Sequence, residues 1–369
     1  MKKENRVKEI AIIGGPGGGK TSLFDYLARE LPKHGIRSFV VEEYATKIIN
    51  GGVPDIAKIA KDDPKKYIEI EREMLVTHLT DREGARRRAR IFEDERCAIF
   101  CDRGGMDIKS YLPESVFEAI LGERRLNLWD VRDSYDAVIF LRSAACGAEE
   151  RYTTENNTAR QEKDAEKARE ADEATLAVWI GHPRLMIIES CEDFGEKMQR
   201  ALQAILNVIG NFEIERKYLL KTKPNLLYKA LKGAVKVSIE QMYLETGERI
   251  RRVNQNGYNA YYLTEKKWVA GAGGVLRKEE ERGISALDYI YFSERCDPAS
   301  KIIRKNRWYF VYNNQYFELD EILGPKKLWM LEIELIDEND PVKLPPFLKI
   351  DREVTGHQKY SNHNIARGL

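Results

Sequence analysis

The sequence predicts two folds in one chain: an α/β doubly wound parallel sheet over residues 1–208 and an α+β eight-stranded antiparallel barrel over residues 211–369. Three observations predict them. Up to about Val208, short apolar runs alternate with long amphipathic stretches, as in parallel sheets with crossover helices. A glycine-rich turn follows the first apolar run. After Gly210, apolar and polar residues alternate with period two, which is typical of antiparallel strands.

Each half has its own order of elements. In the first half, strands are predicted at Ile10–Ile13, Ser38–Glu42, Ala98–Cys101, Ala137–Leu141 and Leu185–Ile188, with helices at Lys20–Glu30, Lys65–Thr80, Ser115–Glu123, Arg160–Val178 and Glu196–Val208. In the second half, strands are predicted at Phe212–Leu220, Val235–Leu244, Arg249–Val253, Tyr258–Lys267, Leu276–Ile284, Lys301–Tyr312, Tyr316–Leu323 and Leu328–Ile336, with helices at Pro224–Leu231 and Ala286–Glu294.

Length and composition exclude several classes of protein. A chain of 369 residues exceeds what one core usually serves, and 43% hydrophobic with 33% charged residues excludes a disordered or fibrous chain. No apolar run reaches the roughly 20 residues of a membrane span, so we expect a cytoplasmic protein without a transmembrane segment. The five cysteines contain no C-x-x-C pair, which argues against a disulfide scaffold and a zinc site.

Charge is distributed unevenly between the halves. Residues from 211 onward carry 27 Lys and Arg against 22 Asp and Glu, a net charge of +5, which leaves −4 for the first 210 residues. The C-terminal half is therefore the one suited to anionic ligands.

A phosphate-binding loop is predicted between the first strand and the first helix. Gly14-Gly15-Pro16-Gly17-Gly18-Gly19-Lys20-Thr21 matches the P-loop pattern G-x-x-x-x-G-K-[ST] in the required context, and Ser22 follows it. Backbone N–H groups and the helix N-terminus would bind phosphate. Lys20 would reach the β- and γ-phosphates, and the Thr21 hydroxyl would ligate Mg²⁺.

Three further residues extend this nucleotide site. Asp102 ends the third strand and is the candidate for the second metal ligand, or else a strand-ending cap. Glu43 follows the second strand and would accept a proton from a substrate hydroxyl; the alternative is a surface pair with Glu42. Arg160 lies in a charged segment that could form a lid over the phosphates, or a solvated helix face.

These motifs resemble a known kinase-like domain. The P-loop, acidic second strand, Asp-Arg-Gly sequence and Arg-bearing segment resemble the P-loop domain of bacterial nicotinamide riboside kinases and of the TRPL translocation defect family, over residues 8–208. The resemblance implies binding of ATP or GTP. No N-K-x-D guanine signature occurs, which argues against a Ras-type GTPase. The run Arg86-Arg87-Arg88-Ala89-Arg90 is either a solvated helix end or a site for an anionic partner such as nucleic acid or phospholipid.

The predicted barrel strands carry charges where a core would have Leu and Val. Reading every other residue gives Glu213, Glu215 and Lys217; Arg249 and Arg251; Lys266; Arg277, Glu279 and Glu281; Lys305 and Arg307; Glu318 and Asp320; and Glu332 and Glu334. Dense charge is not buried for stability, so we expect a ligand in the lumen. Clustered carboxylates favour Mg²⁺ or Mn²⁺, and interleaved Lys and Arg favour a triphosphate. The alternative is an external ladder of salt bridges.

The same residues carry a second resemblance. Glu213-Ile214-Glu215-Arg216-Lys217 matches the E-x-E-x-K signature of the CYTH superfamily, the triphosphate tunnel metalloenzymes, and the later charged pairs follow in family order over about 211–366. The resemblance implies that Glu213, Glu215, Asp320, Glu332 and Glu334 bind metal. It also implies that Glu279 and Glu281 bind metal or position water, and that phosphates are held by Lys217, Arg249, Arg251, Lys266, Arg277, Lys305 and Arg307.

Two hypotheses follow for the whole chain. The first is a two-domain phosphohydrolase or phosphotransferase, with Mg²⁺ and ATP or GTP in the P-loop site and a triphosphate hydrolysed in the tunnel. The second is a nucleotide-switched regulatory protein whose tunnel binds a polyanion, such as an anionic lipid headgroup or an RNA 5′-end, without turnover.

Overall fold

The structure is a computed structural model that describes residues 7–92, 94–147, 165–228, 231, 233–268 and 276–369, with the backbone alone at 268, 276 and 277. The chain divides into two compact units, Met1–Ile205 and Leu206–Leu369. The assignment of a nucleoside-kinase-like domain to 1–208 and a triphosphate tunnel domain to 211–369 stays a prediction. Among the described residues, no helix combines the length and the apolar character that a membrane crossing requires.

The first unit contains a five-stranded parallel sheet, as predicted. Its strands are β1 (Lys8–Ile13), β2 (Ile36–Val41), β3 (Arg96–Asp102), β4 (Ala137–Leu141) and β5 (Leu185–Ile188). The order across the sheet is β2-β3-β1-β4-β5, and every pair is parallel. Since β1 lies in the middle, its carboxyl end opens between those of β3 and β4. This edge is where ligands of such sheets bind.

Seven α-helices are described between and after these strands: α1 (Lys20–Glu30), α2 (Tyr44–Asn50), α3 (Ile56–Asp62), α4 (Pro64–Arg90), α5 (Glu114–Arg124), α6 (Ala165–Trp179) and α7 (Phe194–Gly210). The sequence analysis missed α2 and α3, which have seven residues each and too few apolar positions for a clear period. The first residues of the predicted helix Arg160–Val178 lie outside the described part of the chain.

Helix α4 is longer than predicted and includes the basic run. It begins at Pro64, where the side chain of Asp63 accepts a hydrogen bond from the Lys66 backbone N–H at 3.1 Å. Near its end, Arg86 donates to Glu9 at 2.7 Å, while Arg87, Arg88 and Arg90 are exposed. The run is therefore a helix end that is partly engaged with the sheet.

The second unit is a closed eight-stranded antiparallel barrel, which confirms the predicted fold class. Its strands are β6 (Phe212–Leu220), β7 (Val235–Tyr243), β8 (Arg249–Gln255), β9 (Tyr258–Trp268), β10 (Leu276–Gly283), β11 (Ile303–Tyr312), β12 (Gln315–Gly324) and β13 (Leu328–Leu335). They pair in the order β10-β9-β8-β7-β11-β12-β13-β6, and pairing of β10 with β6 closes the barrel.

Smaller elements complete this unit: β14 (Ile350–Glu353), which pairs with β6, and the helices α8 (Ala286–Ser293) and α9 (Asn362–Arg367). Helix α8 begins with a capping box between Ser285 and Asp288. The helix predicted at Pro224–Leu231 is not formed at residues 224–228, which are turn and irregular backbone. Pro224 and Asn225 both favour turns, and this preference outweighed the apolar residues that follow.

The period-two pattern separates two faces of the barrel. Residues that lie opposite each other on paired strands are on the same face of the sheet. On the lumen face, Glu332 lies opposite Lys217, and Arg307 lies opposite Asp320. On β6 and β11–β13, apolar residues of the other face pack with Leu231 and Leu348 into one buried cluster: Ile214, Tyr218, Leu220, Leu231, Trp308, Phe310, Phe317, Leu319, Leu331, Ile333, Leu335 and Leu348. Burial of this outer cluster stabilises the barrel.

One end of the lumen is apolar. Leu219, Ile322 and Met330 lie on the lumen face beyond the charged positions, and they belong to a cluster with Ile365 and Ala366 of α9. The C-terminal helix therefore covers this end of the barrel.

Candidate functional site

The glycines of the P-loop are required by close backbone approach. A Cβ atom at Gly14 would lie 2.3 Å from the Leu141 carbonyl oxygen, and one at Gly18 would lie 2.7 Å from the same atom. Gly19 precedes α1 with φ at 91°, a left-handed conformation that glycine adopts without strain. The predicted loop therefore has the tight geometry that turns backbone N–H groups toward a phosphate.

Lys20 and Asp102 are brought together at the carboxyl edge of the sheet. Lys20 begins α1 and donates to the Gly14 carbonyl oxygen at 2.9 Å, while Asp102 ends β3 opposite Ile12 of β1. Burial, reinforced by the Arg103 guanidinium, lowers the pKa of Lys20 to about 8. Burial raises the pKa of Asp102 to about 6, against the opposing effect of Lys20. Such opposed shifts are typical of functional sites.

Magnesium fits this site by its donor set. Thr21 lies in the first turn of α1, and one carboxylate oxygen of Asp102, Oδ1, is buried without a hydrogen-bond partner. A hydroxyl and a carboxylate are ligands that Mg²⁺ uses when a nucleotide supplies further oxygens. Bound there, Mg²⁺ would neutralise phosphate charge, and Thr21 and Asp102 would hold it. Ser22 is exposed on the same turn.

Glu43 is held by an arginine that the sequence analysis did not select. Arg103 Nε donates to Glu43 Oε1 at 2.9 Å, and its Nη1 lies 3.5 Å from Asp107 Oδ2. Arg103 has φ at 78°, a strained conformation for a residue with a side chain. Burial raises the pKa of Glu43, but Arg103 outweighs it, so the carboxyl is ionised at neutral pH. Glu42, in contrast, lies 3.9 Å from Lys47 with its side chain 75% exposed.

A buried carboxylate accepts a hydrogen bond from the backbone of the P-loop. Asp172 of α6 accepts from the Gly15 N–H at 2.9 Å and from the Ser143 N–H at 3.0 Å, and Arg142 lies 3.1 Å from its other oxygen. Lys197 of α7 donates to the Gly18 carbonyl at 2.8 Å. The sequence analysis missed Asp172 and Lys197, because each contacts the loop across more than 150 residues of sequence. Arg160, predicted as a lid residue, lies outside the described residues.

The charged lumen residues of the barrel form two groups of ion pairs. In the first, on strands β6 and β8–β10, Lys266 contacts Glu213 at 3.0 Å and also Glu279. Arg249 contacts Glu279 at 3.0 Å and Glu281 at 3.5 Å. Arg251 pairs with Glu281, whose carboxylate also accepts from the Thr264 hydroxyl at 2.6 Å.

The second group lies on β6 and β11–β13. Lys217 bridges Glu215 at 2.5 Å and Glu332 at 2.7 Å. Arg307 contacts Asp320 at 2.7 Å, Glu332 at 3.1 Å and also Glu318, and Lys305 contacts Asp320 at 2.5 Å. Burial, with the neighbouring Glu332 and Asp320, raises the pKa of Glu318 to about 8 against the effect of Arg307.

Glu334 and Arg277, two further predicted lumen residues, are placed by the register of their strands. Glu334 is half-buried and lies opposite Glu215 in the register of β13 and β6. Arg277 lies opposite Glu213 in the register of β10 and β6, but its side chain is outside the described atoms.

The described side chains of the lumen do not form a ready metal site. Among the residues with described side chains, no group of three or more His, Cys, Asp or Glu is arranged to hold a metal ion. The carboxylates are of the right chemical class for Mg²⁺ or Mn²⁺, yet they turn toward Lys and Arg. The donor arrangement as it stands therefore does not fit a metal in the barrel.

The sequence analysis missed one polar residue in the lumen. Gln241 of β7 lies opposite Arg251 of β8 and is fully buried. Its Nε2 donates to the Tyr243 hydroxyl at 2.8 Å, whereas its Oε1 has no hydrogen-bond partner. Strand β7 carries no charged residue on its lumen face, so the pattern of alternating charges gave no indication of Gln241.

Comparison with known families decides the class of the N-terminal half. A family model described as an AAA domain matches residues 9–197, just over half of the chain. The chain belongs to this AAA domain family. The matched residues include the P-loop, Asp102 and Asp172. Membership of this family supports nucleotide binding.

Solved structures and curated proteins were also compared with the chain. The crystal structure of an inorganic triphosphatase is similar at 25% sequence identity and a TM-score of 0.29, covering 42% of this chain and 95% of that one. A protein from Pyrococcus horikoshii OT3 has 20% identity and a TM-score of 0.27, covering 34% of this chain and 80% of that one. No curated protein matches the chain. The CYTH resemblance of the barrel stays a prediction next to the AAA domain.

Proposed function

We propose that this protein is a phosphohydrolase or phosphotransferase with two anion sites. The P-loop of the AAA domain binds ATP or GTP with Mg²⁺, and the barrel lumen binds and hydrolyses a triphosphate. The observation that carries the first part is the half-buried Lys20, which donates to the Gly14 carbonyl oxygen, together with Asp102, whose Oδ1 is buried without a hydrogen-bond partner.

In the P-loop site, each residue has a defined task. Lys20 binds the β- and γ-phosphate oxygens, and the N-terminus of α1 adds partial positive charge. Thr21 and Asp102 hold Mg²⁺. Glu43, oriented by Arg103, accepts the proton of an acceptor hydroxyl or of water.

In the barrel, the lumen cations bind the phosphates. The six described cations lie on the four strands β6, β8, β9 and β11, and they are Lys217, Arg249, Arg251, Lys266, Lys305 and Arg307. Arg side chains suit phosphate because their planar fork donates two parallel hydrogen bonds. Arg277 completes this group in the proposal.

The test of the nucleotide site is a pair of lysine variants. Lys20→Ala should weaken ATP or GTP binding in calorimetry at least about tenfold, because the lysine bridges two phosphates. Lys33→Ala is the matched control, since Lys33 follows the same helix and pairs with Glu30 on the surface at 2.8 Å. Equal nucleotide affinity in wild type and Lys20→Ala would refute the proposed nucleotide site.

A second candidate function is binding without turnover in the barrel. The absence of a metal-holding group among the described side chains favours it, because hydrolysis of a triphosphate commonly needs a metal-activated water. The AAA domain would then act as a nucleotide switch for a polyanion-binding barrel. Release of orthophosphate from tripolyphosphate by Lys20→Ala protein with Mg²⁺ or Mn²⁺ decides for the enzyme, and tight binding without release decides for the switch.

A further inference from the structure

Arg103 holds a strained position at the carboxyl edge of the parallel sheet. It directly follows Asp102, and its backbone N–H donates to the Ile12 carbonyl oxygen at 3.1 Å. Its φ of 78° is a left-handed conformation, which a glycine would adopt without strain. Strained residues with side chains cluster at binding and catalytic sites, so this conformation points to a task for the arginine side chain.

The guanidinium of Arg103 has one firm partner and a weakly used end. Its Nε donates to Glu43 Oε1 at 2.9 Å. Its Nη1 lies 3.5 Å from both Asp107 Oδ2 and the Gly14 carbonyl oxygen, and both distances are longer than those of ordinary hydrogen bonds. Within the described part of the chain, no hydrogen bond uses its Nη2, and the side chain is 15% exposed. The end that carries Nη1 and Nη2 can therefore bind a further acceptor.

Lys20 and Arg103 converge on one atom of the P-loop. Lys20 Nζ donates to the Gly14 carbonyl oxygen at 2.9 Å, and Arg103 Nη1 lies 3.5 Å from the same oxygen. After burial, Arg103 is the main cause that lowers the pKa of Lys20 to about 8. Two cations this close repel each other, and a phosphate group beside both of them offsets the repulsion. In the proposed site, the terminal phosphate that Lys20 binds would therefore lie next to Arg103.

We propose that Arg103 binds the γ-phosphate of the nucleotide through Nη1 and Nη2, and that the site distinguishes a nucleoside triphosphate from a diphosphate by this contact. Nε stays on Glu43, so one planar side chain connects the γ-phosphate to the carboxylate that would accept a proton. An arginine suits this position because its fork donates two parallel hydrogen bonds to a phosphate. This inference rests on the proposed nucleotide site of the P-loop.

The test compares two nucleotides that differ only at the γ-phosphate. ADP and the non-hydrolysable β,γ-imido analogue of ATP each displace fluorescent N-methylanthraniloyl-ADP from the full-length protein with Mg²⁺, and the guanine nucleotides are measured in the same way. Arg103→Lys keeps the charge but cannot form the fork. It should weaken binding of the triphosphate analogue at least about tenfold and binding of the diphosphate less than about threefold. A purely structural role would weaken both nucleotides by the same factor.

Arg103→Gly is the second test variant, in case the lysine is not tolerated. Glycine adopts a φ of 78° without strain, so the turn should be kept while the guanidinium is lost. This variant should show the same selective loss of affinity for the triphosphate analogue. Chemical denaturation of both variants checks that the fold is intact.

Two control variants separate phosphate binding from ion pairing. Arg37 also pairs with a carboxylate, Glu95, at 2.8 Å, but it lies opposite Cys97 near the amino end of β2. Arg37→Lys should therefore change the ratio of the two affinities less than about twofold. Glu43→Gln removes the charged partner of Arg103 and should leave the preference for the triphosphate unchanged or increase it. A loss of preference in Glu43→Gln as large as that in Arg103→Lys would contradict a direct phosphate contact.

The outcomes separate the inference from the nucleotide site beneath it. Loss of the fluorescent signal in Lys20→Ala assigns the measured binding to the P-loop. If that signal is lost but both Arg103 variants weaken the diphosphate and the triphosphate equally, or neither, the γ-phosphate contact is wrong and the nucleotide site stands. If wild type and Lys20→Ala bind the fluorescent nucleotide equally well, the proposed P-loop site fails, and the inference fails with it.

Discussion

Lys20 lies where burial opposes its charge. With the pKa of its ammonium lowered from 10.5 to about 8, the folded protein holds the proton less firmly than the unfolded chain does, so stability falls as the pH falls from about 10.5 to about 8 and changes little below that. Nucleotide phosphates would reverse this, because nearby negative charge favours the protonated form. Binding should therefore draw a proton onto Lys20 at alkaline pH.

We expect nucleotide binding at pH 9 to take up on the order of one proton, and binding at pH 7 to take up almost none, because Lys20 is already charged there. Calorimetry in buffers of different ionisation enthalpy measures this uptake. Lys20→Arg keeps the positive charge but does not titrate, so its binding should lose the uptake. Undiminished uptake in Lys20→Arg would assign the proton to another group.

Among the elements, α6 matters because it connects to the P-loop through one side chain. Asp172 is fully buried and joins the Gly15 N–H, the Ser143 N–H and Arg142. A Cβ atom at Gly15 would lie 2.6 Å from the Asp172 carboxylate, so loop and helix fit closely. The helix thereby fixes the phosphate-binding backbone.

Asp172→Asn should lower nucleotide affinity about tenfold and the free energy of unfolding by about 1–3 kcal/mol, because an amide retains one acceptor but loses the charge facing Arg142. Glu173→Gln is the matched control: it also pairs with Arg142, but its side chain is 61% exposed. Calorimetry and chemical denaturation measure the two effects. Equal effects of both variants would show that Asp172 has no special role.

Sequence periodicity predicted the elements better than their partners. The alternation in β6 placed Glu215 and Lys217 on the lumen face, because side chains of a strand alternate strictly. It could not predict that Lys217 meets Glu332, since that contact depends on β13 being the neighbour of β6. Arg103 was visible in the Asp-Arg-Gly sequence, but its pairing with Glu43 depends on the order of β2 and β3 in the sheet.

At the scale of the whole molecule, the proposed function assigns one anion site to each compact unit. The two sites use different chemistry: backbone N–H groups with one lysine in the first, and ion pairs among side chains in the second. Variants in one site should therefore leave the other unchanged, because distant and independent sites add.

Arg307→Lys should weaken binding of tripolyphosphate at least about tenfold, because lysine keeps the charge but cannot form the bidentate contact. The ATP isotherm of the P-loop should persist in this variant and disappear in Lys20→Ala. Arg304→Lys is the control, since Arg304 pairs with Glu240 on the outer face with its side chain 59% exposed. Loss of both ligands in either single variant would mean that the two units act as one site.

The apolar end of the barrel has a consequence for which molecules it can accept. Because Leu219, Ile322 and Met330 pack with α9 at one end of the lumen, a charged ligand of the proposed lumen site would enter from the other end. A chain of phosphates would then go in terminus first and come out by the same route. If the lumen binds polyphosphate as proposed, it would bind the end of a linear chain and not its middle, and a cyclic ring of three phosphates, which has no end, would not bind.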